Sequence, residues 1–163
     1  MKGKLTLLIF IGLIIGCNEN SRSNSQQIKN GIQMAKRIKI DELKSQLIRL
    51  EKDQTEFDFI GITSNGKDCI YFIYENGKFN IEFEAIIESQ VPYIEKLNEF
   101  AKSSNFETEN TTYNNKTQYK SDKPAPVLRI NTKTNIDKIV EIGQFIQHQI
   151  FKNNKETVYD VVP

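Results

Sequence analysis

Residues 57–83 read Phe57-Asp58-Phe59-Ile60-Gly61-Ile62-Thr63, Ser64-Asn65-Gly66-Lys67-Asp68, Cys69-Ile70-Tyr71-Phe72-Ile73-Tyr74, Glu75-Asn76-Gly77-Lys78 and Phe79-Asn80-Ile81-Glu82-Phe83. Three β-rich runs are separated by two Asn-Gly pairs. Asn-Gly suits the type I′ turn, whose two central residues both need φ > 0, so the block predicts a three-stranded antiparallel meander. The third run alternates, with Phe79, Ile81 and Phe83 facing inward and Lys78, Asn80 and Glu82 outward. One side of it therefore meets water. The middle run is apolar at both parities, as expected of a central strand that is partly covered on its second face.

On the N-terminal side, Ile28, Ile32, Ala35 and Ile38, then Leu43, Leu47 and Leu50, recur at helical spacing. They predict one long helix or two short ones over residues 28–52, with Asp41 placed to cap the second. On the C-terminal side, Pro92 opens a helix whose Ile94, Leu97 and Ala101 share a face. Residues 103–123 are polar. Within them Thr111-Thr112-Tyr113 and Thr117-Gln118-Tyr119, around Asn114-Asn115, suit an exposed hairpin or a loop. Val127-Leu128-Arg129-Ile130-Asn131 is a further strand. A last helix follows, with Thr134 and Asp137 as a capping box and Ile136, Ile139, Val140, Gly143, Ile146 and Ile150 on its inward side. Gly143 on that side predicts close approach to the sheet. Asn153-Asn154 stops the helix and leaves residues 158–163 as a docked tail. The expected order is α-β-β-β-α-β-β-α: an α+β fold, with helices on one face of an antiparallel sheet of about five strands, as a single domain over residues 28–163.

The N-terminus has a different character. Lys2 and Lys4 precede eleven uncharged residues, Leu5 to Ile15, too short for a membrane span and suited to a signal-peptide core. The stretch closes on Ile14-Ile15-Gly16-Cys17, which resembles the lipobox of bacterial lipoproteins. That resemblance covers residues 1–17. It implies removal of residues 1–16, diacylglycerol on the Cys17 thiol and usually a further acyl chain on the new amine, so that the membrane is the first partner. By analogy with the sorting rule of enteric bacteria, Asn18, not being Asp, points to the outer membrane. Residues 18–27 are polar throughout and read as a tether reaching roughly 16–19 Å as a coil.

Composition narrows the function. The whole chain carries a net charge of +1, and removal of Lys2 and Lys4 leaves 20 basic against 21 acidic side chains. Nucleic-acid binding needs a concentrated basic surface, so no nucleic-acid partner is expected. Cys69 has no partner once Cys17 is acylated. No disulfide is expected, and Cys69 reads as a small buried hydrophobe whose neighbours Lys67 and Asp68 largely cancel in charge. The single histidine, His148, has Gln144 and Lys152 at i±4, so no local metal pair forms. Catalysis by a distant Cys69–His148 pair lacks any activating group, and neither a nucleophile elbow nor a phosphate loop occurs. Glu82, Glu84 and Glu88 read as a solvated sheet face. No catalytic residue, cofactor or metal is expected. Tyr71, Tyr74, Tyr113 and Tyr119 combine apolar rings with polar tips and form the expected partner surface. The order of elements is similar to that of small α+β domains in secretion-chaperone-like and immunity proteins. Together these readings imply an envelope lipoprotein that binds a protein or peptide, or else a structural accessory subunit of an outer-membrane complex.

Overall fold

The computed structural model describes residues 36–113 and 125–162. The expected signal peptide, Cys17, the tether, Ile28 to Ala35 and Tyr119 lie outside the described residues. The strands are β1 (Arg37–Lys39), β2 (Phe59–Thr63), β3 (Ile70–Glu75), β4 (Lys78–Glu84), β5 (Glu107–Tyr113), β6 (Ala125–Thr134) and β7 (Val158–Val162). The helices are α1 (Leu43–Glu51), α2 (Val91–Ser103) and α3 (Ile136–Phe145), the last running on into a π-turn at Ile146–Ile150. All strand pairs are antiparallel, in the order β1-β7-β2-β3-β4-β6-β5. The fold is α+β, and the sheet has seven strands where about five were expected.

The two additional strands come from opposite ends of the domain. Residue Ile38 was expected on a helix, but it lies on β1, paired with Tyr159, with Arg37 and Lys39 exposed on either side. A single buried residue between two exposed ones fits a strand as well as a helix, and pairing with β7 decides it. The expected docked tail is β7, inserted between β1 and β2. The helix at 28–52 reduces, among the described residues, to α1. Its entry is tied by the Lys39 amide donating to Glu42 Oε2 at 2.8 Å, a role expected of Asp41.

The meander forms with one change. Asn76 (φ 50°) and Gly77 (φ 74°) make the type I′ turn between β3 and β4. The first Asn-Gly does not: of that pair only Gly66 has positive φ, and a six-residue loop separates β2 from β3. Asp68, 2% exposed, organises this loop. It accepts from Thr63 Oγ1 (2.7 Å), the Ser64 amide (2.9 Å), Ser64 Oγ (2.5 Å), the Asn65 amide (3.3 Å) and Asn153 Nδ2 (2.6 Å). Its carbonyl accepts from the buried Gln147 Nε2 at 3.0 Å, so the loop is tied to the end of the last helix.

Thr111 to Tyr113 pair with Val127, Pro126 and Ala125, so β5 finds its partner in β6 where an exposed hairpin or a loop was expected. The chain's prolines bear on this: the carbonyl of Pro126 accepts from Ala85 at 2.9 Å where β4 has ended, and β6 begins two residues earlier than expected. Thr134 is the last residue of β6, so the cap of α3 falls to Asn135, whose side chain accepts from the Lys138 amide at 3.0 Å.

Even-numbered residues of β2 and β3 and odd-numbered residues of β4 face the helices: Ile60, Ile62, Ile70, Phe72, Phe79, Ile81 and Phe83 are all buried there. Leu43, Leu47, Leu97, Ala101, Ile139 and Ile146 meet them from the helix side. Gly143 makes the close approach its position predicts. A Cβ there would lie 2.8 Å from Phe72 Cζ and 3.0 Å from Leu43 Cδ2. Gly143→Ala is therefore expected to destabilise the domain by about 1–2 kcal/mol, the overpacking strain exceeding the gain in helix propensity. Urea unfolding checks this, and a midpoint at or above that of the wild type would contradict it.

Candidate functional site

The opposite face of the sheet carries the other parity of each strand. Register places Gly61, Tyr71, Glu82, Arg129 and Glu109 in one row across five strands, with Phe59, Ile73 and Asn80 in the next. Among the described residues no helix packs on this face. Phe59, Tyr71, Ile73, Glu75, Glu82, Glu84 and Arg129 are all partly exposed, whereas Gly61, Asn80 and Val127 on the same face are buried.

Its β2–β3 half is aromatic. Phe57 stacks on Phe59 with centroids 5.4 Å apart, and Phe59 meets Tyr71 edge-on at 5.7 Å. Phe57 is 45% exposed. The ring of Tyr71 lies over Gly61, where a Cβ would come within 2.9 Å of it. Glycine thus leaves room for the ring to lie flat on the sheet, as in aromatic cover of a strand glycine. Tyr71 reaches along its strand to Cys69, and burial first, then this neighbour, raises its pKa.

The β4–β6 half is acidic. Burial pushes Glu82 up, against the attraction of Arg129. Burial also pushes Glu84 up, and the adjacent Glu82 adds to it. Arg129 is already engaged: its guanidinium pairs with Glu75 and donates to Asn131 Oδ1 at 3.2 Å. Glu107 pairs with Lys133 at 2.8 Å, and Glu109 accepts from Asn131 at 2.7 Å. Counted along the face, Glu75, Glu82, Glu84, Glu107, Glu109 and Asp160 stand against Arg37, Lys39, Lys78, Arg129 and Lys133. Arg37, Lys39, Arg129 and Lys133 pair with Asp160, Glu156, Glu75 and Glu107, and Lys78 stands opposite Glu75, so the charge along the face is near balance and the acidic pair Glu82 and Glu84 adjoins the aromatic end.

The four tyrosines do not form one surface. Tyr71 is on this face, whereas Tyr74 is at the other parity, tilted against the core residue Phe79 at 4.8 Å. Residues three apart on a strand cannot share a face. Tyr113 ends β5 beside Ala125. Phe57 and Phe59, not singled out as surface in the sequence, supply the aromatic area. Their shared parity with Gly61 was the available signal.

Cys69 is buried, and burial raises its thiol pKa to about 11, so it is protonated at neutral pH. It faces the open side, alternating with Ile70, while His148 belongs to the helix layer on the other side. The sheet thus separates the two. Among the described residues no cluster of three or more His, Cys, Asp or Glu is placed to hold a metal, and no helix is long and apolar enough to cross a membrane. No protein-family model, curated protein or solved structure matches this chain.

Proposed function

We infer that this chain is a lipid-anchored binding module of a bacterial cell envelope, held at Cys17 and engaging a protein or peptide partner without catalysing a reaction. The observation that carries the reading is the sheet face on which, among the described residues, no helix packs and whose Phe57, Phe59 and Tyr71 ladder exposes aromatic area beside charge. Contiguous exposed aromatic area rimmed by charge is characteristic of protein interaction sites. A tether of polar residues after the acylated cysteine would leave this face free to meet a partner near the bilayer.

The test is co-purification. The full chain, carrying a C-terminal affinity tag and solubilised from its native membranes in a non-ionic detergent, is expected to bring down one protein at near-equal stoichiometry. Recovery of the lipoprotein alone, monodisperse, would contradict the reading.

A further inference from the structure

We propose that the open sheet face docks a cationic segment of a protein partner, with an apolar side chain seated on Phe57, Phe59 and Tyr71 and a lysine or arginine placed over Glu82 and Glu84. This inference rests on the binding-module reading above and specifies its site and the chemistry of its partner.

Charge complementarity selects the occupant. The carboxylates beside the aromatic ladder are Glu82 and Glu84, so at that place a cationic group is favoured over the phosphates of a lipid surface or a nucleic acid. Among the described residues, Arg129 is the cation beside Glu82, and it is committed to Glu75; no cation is paired with Glu84. Both carboxylates are half-buried and pushed up by that burial, so each bears a desolvation cost that an incoming cation would offset. Distance also fits. Tyr71 and Glu82 are directly opposed on neighbouring strands, hence roughly 5 Å apart at the backbone. Side chains on one face of an extended segment, or one turn apart on a helix, repeat at about 5–7 Å. An apolar residue and a basic residue at such spacing reach the ladder and the carboxylates together. The aromatic half then supplies affinity, and the acidic half supplies register and speed of encounter.

Two variants test the two halves. In Glu82→Gln/Glu84→Gln the shape of the face is kept and the charge removed. Because each carboxylate is costly to hold ionised, this variant is expected to be at least as stable as the wild type, so weakened binding in it cannot be ascribed to unfolding. Phe57→Ser removes the most exposed ring. The probe is a fluorescein-labelled octapeptide alternating lysine and leucine, titrated with the full chain in non-ionic micelles against empty micelles. Saturable binding to the wild type is expected, weakened about tenfold or more in each variant and by a rise from about 50 to about 500 mM salt. The matching glutamate–leucine octapeptide is expected not to bind. Affinity unchanged in both variants, equal binding of the acidic peptide, or no saturable binding to the wild type overturns the assignment. Partner recovery by the wild-type chain is read separately, so each of those failures can be told from failure of the binding-module reading.

Discussion

Replacing Asp68 by alanine is expected to cost about 3–5 kcal/mol of domain stability, because five donors lose one buried acceptor at once. Two are backbone amides of the β2–β3 loop, two are the hydroxyls of Thr63 and Ser64, and one is the Asn153 amide that follows the last helix. The loss would therefore loosen the meander and its tie to α3 together. For a domain of this size it corresponds to a fall in Tm of about 10–20 °C. Asp68→Asn keeps one acceptor oxygen and should cost about half as much. A fall of less than about 1 kcal/mol for the alanine variant in urea unfolding would show that the loop holds by other means.

The same carboxylate carries a pH signature. Burial pushes its pKa up, but the hydrogen bonds from Ser64, Thr63 and Asn153 outweigh this and hold it below the ordinary value. A carboxyl held low in the fold adds stability above its unfolded pKa of about 4 and loses it as pH falls through the folded value. The stability gap between the wild type and Asp68→Asn is thus expected to narrow on acidification below about pH 4. A gap that widens there would contradict the assignment of Asp68 as the ionised hub.

What could be read in advance follows how local each determinant is. Asn76-Gly77 forms its turn because two adjacent residues need φ > 0 and both tolerate it. Pro92, Leu97 and Ala101 on α2, and Gly143 against Phe72, were equally legible, since each depends on spacing within one element. Asn65-Gly66 carries the same dipeptide but not the same turn, because Asp68 draws the loop around its own oxygens. Nothing local marks Asp68 as buried: that depends on Asn153 and Gln147, some eighty residues away. β1 and β7 escape for a related reason. Each is a short run whose strand state depends on distant pairing, β1 on β7 and β7 on β1 and β2, across separations that periodicity does not sense. The candidate site divides similarly. The parity that sets Tyr71 apart from Tyr74 is present in the numbering, whereas which parity lies under the helices emerges only from packing.

Cys17→Ser carries the other large expected effect, because it removes the anchor outright. A single acyl chain holds a protein to a bilayer only marginally, while each buried methylene adds about 0.8 kcal/mol, so two or three chains hold it effectively for good. The wild-type chain is predicted to incorporate an alkyne palmitate analogue, to lose the residues before Cys17, and to stay with the membrane through washes at high salt and alkaline pH. The serine variant is predicted to remain unlabelled and at precursor mass. Labelling that persists in Cys17→Ser, or a wild-type chain released by salt with no acyl mass on its N-terminal cysteine, would contradict the proposal that this domain works as a lipid-anchored module.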